Sequence, residues 1–191
     1  SKEIIKVVED VLIEFNKEIV SSLEKQNCKS QSLHSKENNI ISVEKDSEEL
    51  GFVGSPTDIN KSIVDKIIKN KKVPVIAPLG LSVENQTYNI NADTAAGSIA
   101  KKLKARRLII MSDVEGVLDS NDKLITEINS DSIKNLIENQ IITGGMIPKI
   151  NNCLDVASNG VKGVVIIDGR KNHSLLFELL SDKGSGTLIR Q

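Results

Sequence analysis

Tryptophan is absent from this 191-residue chain, and aromatic side chains of every kind are scarce: one Tyr and three Phe. That argues against base stacking as a recognition mode, and so against a single-strand nucleic-acid binder. Neither sign of charge dominates. The 25 Lys and Arg against 26 Asp and Glu leave a formal −1 at pH 7, so no global field draws the chain to DNA or to an anionic membrane. Cysteine is limited to Cys28 and Cys153, which lack metal-type spacing, and two unpaired thiols in a reducing compartment are expected. The two histidines, His34 and His173, are too few for a zinc site or for a Ser/His/Asp or Cys/His set, and no metal ligands are assigned. No apolar run approaches the ~20 residues of a membrane span. The opening residues Ser1-Lys2-Glu3-Ile4-Ile5 lack the charged-then-apolar layout of a signal peptide. A cytoplasmic protein is the expectation.

What the chain does have is Ile, Leu and Val, enough to bury a core without disulfides. Apolar residues recur at Ile4, Val8, Val11, Phe15, Ile19 and Leu23. Their spacing predicts an uncapped helix over residues 2–26. Residues 27–49 are polar, with one strand candidate at 39–43. Thr57-Asp58 can cap a helix over 60–69. Val73-Pro74-Val75-Ile76-Ala77, Leu108-Ile109-Ile110-Met111 and Gly163-Val164-Val165-Ile166-Ile167 read as buried strands. Helices are predicted over 93–104, 130–139, 146–158 and 173–180, and a short last strand over 187–189. Strands buried on both faces and alternating with helices predict an α/β fold, a three-layer αβα sandwich on a mainly parallel open sheet. Two lobes are expected, residues 1–77 and 78–191, the second built on one continuous sheet. In such sheets ligands sit beyond the carboxyl ends of the strands.

Three segments at strand ends carry the candidate chemistry. Gln86-Thr87-Tyr88-Asn89-Ile90-Asn91-Ala92-Asp93 sets carboxamides, which both donate and accept, beside a carboxylate. It also reads as an Asn-rich turn with Asp93 as N-cap. Ser112-Asp113-Val114-Glu115-Gly116-Val117-Leu118 suits the ribose and phosphates of a nucleotide, and also reads as an ordinary strand exit. Ile141-Ile142-Thr143-Gly144-Gly145-Met146-Ile147-Pro148-Lys149 places two glycines before a helix whose amino end favours an anion. Lys149, one turn in, is within reach of a phosphoryl group or is simply solvated. Neither a Walker A sequence nor Gly-x-Gly-x-x-Gly occurs.

In this order, the three segments resemble acetylglutamate kinase of the amino acid kinase superfamily. Asn16-Lys17-Glu18-Ile19-Val20, Leu50-Gly51-Phe52-Val53-Gly54, Pro78-Leu79-Gly80, Ile167-Asp168-Gly169-Arg170 and Gly184-Ser185-Gly186-Thr187 extend the likeness through nearly the whole chain. The resemblance implies ATP-dependent phosphorylation of the side-chain carboxylate of N-acetyl-L-glutamate, a step of arginine biosynthesis. It implies that Asn89 binds the substrate's α-carboxylate or acetamido end and that Asn91 shapes that pocket. Asp93 would hold the catalytic lysines, and Lys149 would neutralise the transferring phosphoryl group. Ser112, Asp113, Val114, Glu115, Gly116, Val117 and Leu118, with Ile141, Ile142 and Thr143, would line the ATP site. Mg²⁺ would be held largely by the nucleotide's phosphates. Phosphoryl transfer asks for positioning and charge stabilisation, so an ionised carboxylate acceptor needs no general base.

The chain also departs from the family pattern. A strand carrying Lys and Gly-Gly, a three-glycine loop and a substrate-clamping arginine do not occur before Ser1. Roughly a quarter to a third of a complete enzyme is thus expected to lie outside these residues, and the 191-residue chain alone is expected to lack kinase activity. Leu33-His34-Ser35-Lys36 stands where relatives carry Ser-Gly-Lys. Val165 stands where arginine-inhibited relatives carry His, while Glu178 and Gly184 match their arginine site. Arginine is therefore a candidate inhibitor, and a homo-oligomer is expected of the full-length protein. The alternatives are another amino acid kinase, or a non-catalytic module that binds arginine or nucleotide.

Overall fold

In the computed structural model, which describes residues 1–191, the first periodic segment forms one long helix, α1 (Lys2–Lys25). A cap is present where the sequence predicts none: the Ser1 hydroxyl accepts from the Ile4 N–H, as serine does at helix starts. The buried face also differs from the apolar row. It consists of Ile5, Glu9, Ile13 and Asn16, while Ile4, Val11 and Phe15 are exposed. Hydrogen bonds explain the choice, because buried polar groups are tolerated only when paired. Asn16 donates to the Val75 carbonyl at 2.9 Å and accepts from the Ser32 hydroxyl. The Glu9 carboxylate accepts from the hydroxyls of Ser35 and Thr87.

The chain then runs through β1 (Ser30–Leu33), β2 (Ile41–Lys45), β3 (Gly54–Ile59), α2 (Lys61–Lys69), β4 (Val73–Ile76), β5 (Leu79–Leu81), β6 (Thr87–Asn89) and α3 (Ala92–Leu103). β1 and β4 form a parallel pair with Ser30 opposite Val73. The other four strands form a sheet in the order β3-β2-β5-β6. Thr57 and Asp58, expected as a helix cap, lie inside β3 instead, and α2 starts from Asn60 without a side-chain cap. β3 is the edge of its sheet, where Pro56 costs no ladder bond that a central strand would need.

The second half carries β7 (Leu108–Ser112), β8 (Glu127–Asn129), α4 (Ser130–Glu138), α5 (Met146–Ser158), β9 (Val164–Asp168), α6 (Ser174–Leu180) and β10 (Gly186–Arg190). The sheet order is β7-β9-β10-β8. β7 and β9 run parallel, from Leu108 opposite Val164 to Ser112 opposite Asp168. Every residue of β9 is buried. Ile110, Val117, Ile142, Ile150, Cys153, Val156, Ile166 and Ile189 share one core, each large aliphatic side chain contributing ~1.5–3 kcal/mol. Cys28 is half-buried, and Cys153 is buried within this core.

Parallel pairings are the majority across the three sheets, as an α/β fold of this class requires. The sequence predicts a division after residue 77, whereas contacts group the chain as Ser1–Ile99 and Ala100–Gln191. The physical reason is that β5 and β6 pair onto β2, which ties residues 79–89 to the first unit. No helix is long and apolar enough to cross a membrane.

One buried group makes stability depend on pH. His34 is 5% exposed, and neither ring nitrogen has a hydrogen-bond partner. Burial pushes its imidazole below the ordinary 6.5, against an opposing pull from Glu37. The native state therefore favours the neutral ring. This contribution is complete above the unfolded value and is lost as pH falls through the lower folded value. The urea midpoint is expected to drop between pH 7.5 and pH 5, with a smaller drop in His34→Leu. Equal drops in both proteins would count against this assignment.

Candidate functional site

In the first unit the candidate residues sit where β6 passes into α3. β6 is fixed from two sides: Thr87 donates to Glu9 at 2.7 Å, and the Asn89 N–H donates to the Phe52 carbonyl at 2.9 Å. The rings of Phe52 and Tyr88 pack at 5.8 Å between centroids. Asn89 is half-buried at the end of this strand. Asn91 is exposed, and its Oδ1 accepts from the Thr94 N–H at 3.1 Å. Asn91, not Asp93, is thus the residue that caps α3. Asp93 lies half-buried in the first turn, where a carboxylate is favoured by the helix dipole.

In the second unit, residues 112–118 leave the end of β7 and are held from three directions. The Gly169 N–H donates to the Ser112 carbonyl at 2.8 Å. The Lys171 ammonium pairs with Glu115 at 2.7 Å. The Val117 N–H donates to the Thr187 hydroxyl at 2.8 Å. Gly116 has φ +140°, and a Cβ there would collide with the Thr187 side chain and lie 3.1 Å from its nitrogen. Here glycine is needed both for the backbone angle and for the close approach. Asp113 and Glu115 are exposed, and Ser112, Val114 and Leu118 are half-buried. Beyond them Asp119 accepts from the amides of Asn121 and Lys123 and so shapes the turn.

The Ile141 and Ile142 amides both donate to the Leu136 carbonyl, which closes α4. Val117 and Ile142 share the same core, so the two segments expected to line a nucleotide site are anchored together. The Ile142 side chain is 1% exposed and serves that core. Thr143, Gly144 and Gly145 are exposed ahead of α5, and a Cβ on either glycine would meet nothing within 4 Å. Lys149 is half-buried in the first turns of α5. Asp93 belongs to the first unit and Lys149 to the second.

Glu178 is buried rather than solvated. It accepts from the Ser185 N–H at 2.9 Å and from Arg107 Nη1 at 3.1 Å. Gly184, with φ +67°, abuts its carboxylate. Arg107, Glu127, Asp182, Lys183 and Arg190 complete a polar groove of about 250 Å³ there. Sequence reasoning misses Arg107 and Thr187. The signals are an arginine directly before an apolar strand and a lone hydroxyl inside a buried one.

At the end of β9 the Asp168 carboxylate takes Arg170 through Nε at 2.9 Å and Nη2 at 3.0 Å, and the Arg170 N–H at 2.9 Å. These side-chain and backbone hydrogen bonds hold its pKa down to about 2. The stabilisation is present above the ordinary 3.8 and is lost as pH falls through the folded value. A carboxyl-carbon NMR titration is expected to keep Asp168 ionised at pH 3, with Arg170→Ala returning it towards the ordinary value. A titration near 3.8 in the unsubstituted protein would contradict the geometry.

The Amino acid kinase family profile matches residues 1–168. The chain is 70% identical over 190 residues to a Pelagibacter ubique protein named acetylglutamate kinase, covering 100% of this chain and 66% of that protein. A Campylobacter fetus protein of the same name is 44% identical over 191 residues, covering 99% and 68%. The chain thus spans about two thirds of the length of these relatives. Among solved structures, smu.665 from Streptococcus mutans UA159 superposes with a TM-score of 0.76 at 33% identity, over 91% of this chain and 66% of that one. The family match, these identities and the α/β topology together make this chain a member of the amino acid kinase family.

Proposed function

We propose that the protein transfers the γ-phosphoryl group of ATP to the side-chain carboxylate of N-acetyl-L-glutamate. The observation that carries this reading is the 70% identity, across the chain, to a protein named acetylglutamate kinase. A carboxylate oxygen attacks the γ-phosphorus, the bond to the β–γ bridging oxygen breaks, and ADP leaves. The acceptor is already ionised at neutral pH, so no side chain has to remove a proton. What the protein supplies is placement and positive charge.

Asn89 recognises the acyl substrate through its carboxamide, and Asn91 shapes the same pocket. Asp93 orients a catalytic ammonium. Residues 112–118 and 141–143 receive the nucleotide. The exposed amides around Gly144 and Gly145, at the head of the 13-residue α5, suit phosphate oxygens. Lys149 neutralises charge on the transferring group. Mg²⁺ held largely by the nucleotide's phosphates would add positive charge there. The reaction takes place in the cytoplasm. Ile4, Val7, Val11 and Phe15, each more than half exposed along α1, support a homo-oligomer. Arginine binding at Glu178 would have to displace Arg107, so inhibition by arginine is weak.

A hydroxamate-trapping assay tests the reading on the native gene product with Mg-ATP. Acyl phosphate is expected from N-acetyl-L-glutamate but not from glutamate, carbamate or UMP. Lys149→Ala is expected to lower kcat by ~10²–10³, the usual cost of one charge-stabilising donor. Turnover of a different acceptor, or full activity in Lys149→Ala, would overturn the assignment.

A further inference from the structure

We infer that Thr187 is a positioning residue for the nucleotide, acting through the backbone of residues 113–118. The inference rests on the proposed role of that loop as the ATP site.

Thr187 is fully buried on β10, opposite Ile166 of β9. Its hydroxyl has both hydrogen-bonding roles filled. It accepts from the Val117 N–H at 2.8 Å and donates to the Ile125 carbonyl at 2.7 Å. The Ile125 N–H donates to the Val117 carbonyl at 2.8 Å, so three bonds close a ring between β10 and both arms of the loop. The Leu188 N–H adds a bond to the Thr126 carbonyl at 2.9 Å. Gly116 lies directly on the same side chain, in a backbone conformation that other residues rarely adopt. One buried hydroxyl therefore ties both arms of the loop to β10 at the loop's base.

A loop that binds a nucleotide through backbone atoms needs its φ and ψ angles fixed before the ligand arrives. Small misplacements are costly when geometry supplies the catalysis. Valine has the shape of threonine without the hydroxyl. It would leave the Val117 N–H and the Ile125 carbonyl buried without their partner, while the packing of β10 stays as it is. Serine keeps the hydroxyl and loses only a methyl group. The effect is directional: it falls on the nucleotide, because the residues that recognise the acyl substrate belong to the first unit.

The test compares Thr187→Val and Thr187→Ser with the unsubstituted native gene product. Binding of a fluorescent ATP analogue is measured together with kcat and KM for each substrate. Thr187→Val is expected to weaken nucleotide binding and raise the KM for ATP by about tenfold. The KM for the acyl substrate is expected to stay within about twofold, and Thr187→Ser to recover most of the nucleotide affinity. Hydrogen exchange at the Val117 amide of the unsubstituted protein gives an independent reading if Thr187→Val does not fold; strong protection is expected. Equal losses for both substrates, equal losses in both variants, or a rapidly exchanging Val117 amide would overturn the inference. If the unsubstituted protein binds no nucleotide, the loop's assignment falls and this inference with it. If nucleotide binds and Thr187→Val leaves it unchanged, this inference alone falls.

Discussion

The parallel pairing of β7 with β9 is the constraint on which the second unit depends. β9 is buried along its whole length, and β7 ends in register with it, Ser112 opposite Asp168. That register places two loop starts side by side. One becomes residues 113–118, the other the Asp168–Arg170 turn. The Gly169 amide and the Lys171–Glu115 ion pair then join the two. A one-residue slip in this register would turn every side chain of β9 to the opposite face. Close packing of the aliphatic core opposes such a slip, so the positions of residues 113–118 and of the Asp168–Arg170 turn are set by packing below them.

A similar logic of buried pairing shapes the first unit. α1 docks through Glu9 and Asn16 as well as through Ile5 and Ile13. Each polar residue is matched to a fixed partner, Asn16 to Ser32 and Val75, Glu9 to Ser35 and Thr87. Because Thr87 opens β6, the Glu9 contact also helps to fix the segment that delivers Asn89. Buried polar networks of this kind specify one docking geometry among several that apolar contacts alone would accept.

These two regions also explain what the amino-acid sequence makes legible. β9 is visible as a continuous apolar run, since a strand covered on both faces has no polar side to show; β7 reads the same way in sequence, yet it is the edge strand, with Ile110 buried and Met111 55% exposed. The helices are visible from their three-and-four spacing. The docking face of α1 is hidden, because periodicity cannot reveal that Glu9 and Asn16 have partners far along the chain. β1, with the sequence Ser-Gln-Ser-Leu, is hidden for the same reason: its serines are satisfied by α1. Thr87-Tyr88-Asn89 reads as an Asn-rich turn yet forms a strand through its pairing with β5. At the candidate site, the segments are legible by motif order, whereas the parts of Arg107 and Thr187 depend on tertiary contacts across 71 and 70 residues.

The central claim is that residues 112–118 and the approach to α5 form a nucleotide site. Backbone amide shifts recorded while Mg-ATP is added test it most directly. The account predicts saturable changes at Ser112–Leu118, at residues 141–146 and at the first turn of α5, with the amides of β8 and α4 little affected. Changes confined to other regions, or none at concentrations where ATP-dependent enzymes are normally saturated, would contradict it.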